Sequence, residues 1–291
     1  MFSVTIFTYD GSNHDRQTMT TTFYATLADA WRLHDSLVCV GLDPDMQRIP
    51  AHLHDHPTPY FEFCRQIVDA CAPYVAAFKP QFAHFAAVGR EQELTDLLHY
   101  ITQQCPDHIA LLDAKRGDVG STASFYAQEA YTRYAADAVT VSPYLGRDSI
   151  DPYLQYPGKG VVVLCRTSNP ASDWLQHRMQ DEEPLYAYVA RSVAQWDQGE
   201  FMLVCGATYP SELAEIRAIV GDLPLLVPGI GAQGGDLAAV LAHGLDAQGT
   251  GLLISSSRNI IFADNSESFA LHAAAAAKEL QADINSIRHN K

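Results

Sequence analysis

The segment Leu-Leu-Asp-Ala-Lys-Arg-Gly-Asp-Val-Gly-Ser-Thr, residues 111–122, sets a cation between two carboxylates. Asp113 and Lys115 end an apolar run of strand length, and Asp118 follows past Gly117. Side chains alternate along a strand, so Asp113 and Lys115 point to one side and Ala114 to the other. An ammonium beside carboxylates stays protonated, because nearby anions favour its charged form. A cation held among carboxylates at the end of a buried strand stands where α/β folds keep their chemistry. A solvated cluster of surface ion pairs is the competing reading of these residues taken alone.

Other candidate residues share this placement. Asp43 follows the apolar run 37–42, Lys79 follows 75–78, and Arg258 comes shortly after 251–254. The strand ends of an α/β barrel converge on one mouth, where active sites lie. Asp43, Lys79, Asp113 and Lys115 then form a row of alternating sign, with Asp118 nearby. A second feature is Val-Pro-Gly-Ile-Gly-Ala-Gln-Gly-Gly-Asp, residues 227–236. Glycines between a strand and a helix let backbone N–H groups gather around an anion, although turn formation alone also explains them. Arg258 at the adjoining strand end strengthens the anion reading, since its planar fork donates two hydrogen bonds to a phosphate. The last two strands are also where barrels commonly hold phosphate. A third feature, Arg-Thr-Ser-Asn-Pro at 166–170, is a turn sequence that carries Ser168.

The run 113–122 resembles the signature of the orotidine 5'-phosphate decarboxylase family. The similarity extends through most of the chain after about Phe23, and the longer loops resemble the bacterial long-chain branch. The resemblance implies conversion of orotidine 5'-phosphate to UMP and CO2, with no metal or organic cofactor. It implies that Lys115 is the proton donor, held between Asp113 and Asp118. It implies a homodimer with shared active sites, in which Asp118 and Thr122 serve the neighbouring subunit. Asp43 and Lys79 match residues that hold the ribose hydroxyls, and Ser168 matches a serine that reads the pyrimidine ring. Gln233, the backbone around Gly234, and Arg258 match groups on the nucleotide phosphate. One departure is visible: many relatives carry Phe-Glu where this chain has His84-Phe85-Ala86, so no role is carried over for that carboxylate.

Two further functions use similar residues. A magnesium-dependent phosphosugar decarboxylase or synthase on the same barrel needs a carboxylate where this chain has Lys79. A non-catalytic phosphometabolite-binding barrel has no need of the intact Asp113, Lys115 and Asp118 set.

The elements that must position these groups follow from the hydrophobic pattern. Apolar runs at 37–42, 75–78, 109–113, 138–141, 160–164, 201–205, 224–227 and 251–254 predict strands. Helical patterns fall at 60–71, 91–104, 121–134, 184–196 and 267–281. Unbroken apolar strands imply burial on both faces and hence a parallel sheet. Eight regular units favour a closed (β/α)8 TIM barrel of the α/β class over an open doubly wound sheet. The spacing of Phe23, Leu27, Ala30 and Trp31 predicts a helix over 23–35 that caps the barrel bottom. The 291 residues therefore read as one barrel domain, 23–291, behind a poorly ordered arm, 1–22. Within that arm, 1–18 is polar and irregular, and Met19 is an equally good start. The segment 169–183 is the longest excursion on the strand-end face and reads either as a lid or as a disordered insertion.

Composition narrows the partners. Apolar content of 47% and charged content of 18% fit a soluble protein with a large core. A net charge of −15 without a basic patch argues against nucleic acid, and it leaves phosphate capture to local donors. No apolar run reaches the roughly 18 residues of a transmembrane helix, and no signal-peptide pattern opens the chain, so no membrane partner is expected. The six cysteines form no CxxC pair and read as free buried thiols in a reducing cytoplasm. His52, His54 and His56 alternate among prolines and read as a solvated loop, not a metal site.

Overall fold

The structure is a computed structural model that describes residues 22–230 and 235–290. Its parallel strands are β1 (Val38–Leu42), β2 (Ala77–Pro80), β3 (Ile109–Arg116), β4 (Ala138–Val141), β5 (Gly160–Arg166), β6 (Phe201–Cys205), β7 (Leu225–Pro228) and β8 (Leu252–Ser256). They close into a barrel in the order β1-β8-β7-β6-β5-β4-β3-β2, with β1 paired to both β2 and β8. Strands such as β1 and β6 are buried along their whole length, which is why their sequences are apolar without alternation.

The helices around the barrel are α1 (Phe23–His34), α2 (Pro59–Cys71), α3 (Glu91–Gln104), α4 (Gly120–Gln128), α5 (Leu185–Trp196), α6 (Pro210–Val220), α7 (Leu237–Gly244) and α8 (Phe269–Arg288). In α2, Pro59 opens the first turn, where a missing N–H costs nothing, and Phe63, Ile67 and Cys71 follow as one buried stripe. The Thr22 side chain caps α1 by accepting the Ala25 N–H, and Asp35 ends it in a left-handed conformation. Tyr24 Oη donates to the Phe201 carbonyl at 2.8 Å, at the start of β6. Phe23 lies so close to the start of β5 that a Cβ on Gly160 would fall 2.6 Å from its ring, so only glycine fits there. Helix α1 therefore closes the barrel at the strand N-termini, as its apolar spacing predicts.

Some elements depart from the sequence expectation. β3 continues three residues past 113, to Arg116, and β5 continues past 164 to Arg166. The expected helix 121–134 ends at Gln128 and passes into a π-helical turn, Glu129–Arg133. Between β4 and β5 stand only 3₁₀ turns, Arg147–Ser149 and Asp151–Gln155. The excursion 169–183 is structured: a turn at Pro170–Ser172, a short helix at Asp173–Gln176, and an antiparallel pairing of Met179–Gln180 with Glu183–Pro184. Of the arm 1–22, residues 1–21 lie outside the described residues, and Thr22 serves as the α1 cap. All six cysteines are buried and free. Among the described residues no helix is long and apolar enough to cross a membrane.

Candidate active site

The row of charges assembles at the C-terminal ends of β1, β2 and β3. The Lys79 ammonium lies 2.8 Å from Asp113 Oδ2, and the Lys115 ammonium lies 2.6 Å from Asp113 Oδ1. One carboxylate thus bridges two cations. Lys79 and Asp113 are buried, with side chains 8% and 9% exposed, while Lys115 is 48% exposed and reaches into the mouth. Burial alone would lower the Lys79 ammonium, but the Asp113 and Asp43 carboxylates hold it above the ordinary lysine range. Burial also opposes charge on Asp113, yet Lys79 and Lys115 keep its carboxyl below the ordinary carboxylate range.

Regular pleating does not fully account for how Asp113 meets Lys115. The pairing of β3 with β4 slips between Leu112 and Arg116, and Lys115 sits at φ 47°, in the left-handed region. That conformation costs an L-residue roughly 1–2 kcal/mol. Thr140 of β4 occupies the slip. Its hydroxyl donates to Asp113 Oδ1 at 2.9 Å and accepts the N–H groups of Ala114 at 3.0 Å and Lys115 at 2.9 Å.

Asp43 follows β1 and accepts from the Ser257 hydroxyl at 2.6 Å. Its Oδ1 is buried with no hydrogen-bond partner among the described residues. A buried acceptor of this kind is met by water or by a donor on a bound molecule. His84 Nδ1 donates to the Pro44 carbonyl at 2.9 Å, so the residue at the departure from the family pattern secures the loop after β1.

A cavity of about 470 Å³ opens between Lys79, Asp113, Lys115 and Thr140 on one side and Thr167, Ser168, Asn169 and Gln176 on the other. Val204, Leu226 and Pro228 add an apolar wall. This size and mixed lining suit a planar polar ring. Ser168 is seated by close packing, since a Cβ on Gly206 would come within 2.8 Å of its backbone. The strap 167–176 is held by Arg166, whose side chain is only 1% exposed. Its guanidinium donates to Glu212, to the Ser172 hydroxyl, to Asp173 at 2.7 Å and to Gln176 at 3.2 Å, and it stacks 3.8 Å over the Tyr209 ring. Gln176 in turn accepts the Thr167 N–H at 3.0 Å.

Not every candidate joins this cavity. Asp118 accepts the N–H of Val119 at 2.8 Å, and among the described residues it makes no ion pair with Lys115. Thr122 is exposed on the first turn of α4 and lines an outer cleft of about 520 Å³ with Phe125 and Tyr126. Arg258 opens a short helix, Arg258–Ile261, directly after β8; it is exposed, and among the described residues no carboxylate pairs with it. Gln233 and Gly234 lie outside the described residues. The described residues on either side, Ile230 and Gly235, form an isolated bridge.

Sequence reasoning missed Thr140, Ser257 and the strap anchor Glu212. A threonine inside the apolar run Ala-Val-Thr-Val was the one available signal for Thr140.

Residues 36–273 match a family model described as Orotidine 5'-phosphate decarboxylase / HUMPS family. A curated relative from Cupriavidus necator, named orotidine 5'-phosphate decarboxylase, is 52% identical over 92% of this chain and 99% of its own. A relative of the same name from Azoarcus sp. is 54% identical over 91% of this chain and 99% of its own. Among solved structures, Leishmania donovani OMP decarboxylase superposes with a TM-score of 0.80 at 38% identity, covering 92% of this chain and 99% of that one. Leishmania donovani UMP synthase superposes with a TM-score of 0.82 at 39% identity, covering 94% of this chain and 57% of that one.

Proposed function

The chain belongs to the orotidine 5'-phosphate decarboxylase / HUMPS family, and from that premise we propose how its charged row performs the reaction. The enzyme is an orotidine 5'-phosphate decarboxylase, which releases CO2 and UMP in pyrimidine biosynthesis. The observation that carries the mechanism is the Lys115 ammonium, 2.6 Å from an Asp113 carboxylate that a second ammonium, Lys79, also holds.

The bond from carbon 6 of orotate to its carboxylate breaks, and CO2 departs. The electron pair stays on carbon 6, where no conjugated sink accepts it. Lys115 faces that carbon, stabilises the carbanion electrostatically, and transfers a proton to it. Solvent then reprotonates the amine. Asp113 takes no proton, because both of its oxygens are engaged by cations and by Thr140. Its task is to hold the Lys115 ammonium in place.

The remaining roles extend this reading. Asp43 and Lys79 hold the ribose hydroxyls, and the unpartnered Asp43 Oδ1 is the acceptor such a hydroxyl would satisfy. Ser168 reads the ring from the strap side of the cavity. Gln233, the Gly234 backbone and Arg258 take the phosphate, whose binding energy helps order the mouth around the reacting ring. Asp118 and Thr122 act in the site of a second subunit, so the working form is a cytoplasmic homodimer built on the barrel domain 23–291. Free buried thiols suit that compartment. Lys79 also disfavours the magnesium-dependent phosphosugar reading, because it puts an ammonium where that chemistry needs a metal-binding carboxylate.

An absorbance assay with orotidine 5'-phosphate in excess EDTA tests the function. Turnover at the rate seen without chelator is expected. Absence of turnover that magnesium restores would favour the phosphosugar branch.

A further inference from the structure

We propose that Thr140 is a positioning residue for the decarboxylation, holding the Lys115 side chain at its root while Asp113 holds it at its tip. The inference rests on the role given to Lys115 above.

The reason lies in the register of β3 on β4. Leu112 pairs with Val139 and Arg116 with Val141, so the three residues between them on β3 face Thr140 alone. Regular pairing cannot supply backbone acceptors for the N–H groups of Ala114 and Lys115. Thr140 Oγ1 accepts both, at 3.0 and 2.9 Å. A hydroxyl has one proton and two lone pairs, and this proton goes to Asp113 Oδ1 at 2.9 Å. Every hydrogen-bonding position of the hydroxyl is therefore used, in a side chain only 1% exposed.

The result is a closed ring of bonds. The Lys115 N–H binds Thr140, Thr140 binds Asp113, and Asp113 binds the Lys115 ammonium at 2.6 Å. The left-handed backbone at Lys115 is spanned by this ring. Strained backbone persists where its surroundings over-determine it, and here the hydroxyl is what does so. The same hydroxyl fixes which way Asp113 Oδ1 faces, leaving Oδ2 for Lys79. Thr140 also lines the cavity, but its hydroxyl is committed to the protein, so its effect on the reaction passes through Lys115.

Thr140→Val keeps the shape and removes the hydroxyl, and Thr140→Ser keeps the hydroxyl. Thr140→Ala serves as a second hydroxyl-free variant should the valine protein fail to fold. For each, UMP binding counts the folded sites and gives their affinity, and turnover of orotidine 5'-phosphate is measured per site. The hydroxyl-free variant should lose about 10- to 100-fold in kcat, since small misplacement of a reacting group costs on that order. KM and UMP affinity should change by less than about threefold, and Thr140→Ser should stay within about threefold of wild type throughout. The inference is overturned if the hydroxyl-free variant keeps wild-type kcat per site, if its loss appears only as fewer sites or raised KM, or if the serine variant is equally impaired. Lys115→Ala measured alongside separates the two levels. Retained turnover there removes the Lys115 reading itself, whereas a dead Lys115→Ala beside a wild-type Thr140→Val removes only this inference.

Discussion

Asp113 is shared by two ammonium groups, and that sharing fixes the charge state of the site. Its folded carboxyl lies below the ordinary range, so its stabilisation is complete above the unfolded value of about 3.9 and is lost as pH falls through the folded value. Lys79 behaves oppositely: its stabilisation is present below the unfolded lysine value and is lost only as pH rises through a still higher folded one. Neither titrates near neutrality. Asp113→Asn leaves a buried ammonium without its counter-charge, a change worth about 3–5 kcal/mol. Melts of the two proteins should therefore differ by a constant gap from about pH 5 to 8 and converge in stronger acid. A gap that widens in acid would contradict the assignment. In the proposed function, Arg258 meets the other end of the substrate. Arg258→Ala should weaken UMP about tenfold or more, as loss of a charge-assisted hydrogen bond of roughly 1.5–3 kcal/mol predicts, and leave uridine nearly unchanged. Equal weakening of both ligands would place Arg258 away from the phosphate. The charged residues were legible in sequence because charge at the end of an apolar strand is conspicuous. Thr140 was not, since a threonine in a strand ordinarily signals only β propensity.

At the scale of elements, the parts that hydrophobic periodicity controls matched closely: β4 and β6 span the residues their apolar runs predict. The ends of β3 and β5 were illegible for a physical reason. Their final residues are charged, and ion pairs hold them in the sheet: Lys115 with Asp113 and Arg116 with Glu129 at β3, and Arg166 with Glu212 at β5. Glu129 and Glu212 lie outside the strands they serve, where the pattern of an apolar run does not register them. The helix expected over 121–134 likewise stops early, at Gln128, and the π-helical turn after it carries Glu129, which pairs with Arg116 at 2.9 Å. The strap 167–176 depends on the same kind of anchor. Arg166→Met should remove its bonds to Glu212, Asp173 and Ser172, lower stability by about 3–5 kcal/mol, and weaken UMP because Ser168 and Gln176 lose their seat. Thermal melts and UMP titration of one preparation read both effects. Unchanged UMP affinity with a lowered melting temperature would show that the strap does not form part of the site.

For the whole molecule, the barrel gathers Asp43, Lys79, Asp113, Lys115 and Ser168 at one mouth, while Thr122 lines a separate outer cleft and, among the described residues, Asp118 makes no ion pair with Lys115. Val119 and Phe125 stand exposed beside them at 50% and 69%, an apolar surface that a second copy would cover. In the proposed homodimer, two-fold pairing would complete both sites symmetrically. Mixing inactive Lys115→Ala with inactive Asp118→Ala and allowing exchange should restore about one quarter of wild-type activity, since half the dimers are mixed and each has one intact site. A mixture that stays inactive after demonstrated exchange would mean that Asp118 serves its own chain. The central claim, that Lys115 supplies the proton for a decarboxylation this mouth performs, is tested most directly by turnover of orotidine 5'-phosphate in Lys115→Ala, with UMP binding measured on the same protein. The account predicts loss of turnover with UMP affinity largely kept; near-normal turnover would contradict it.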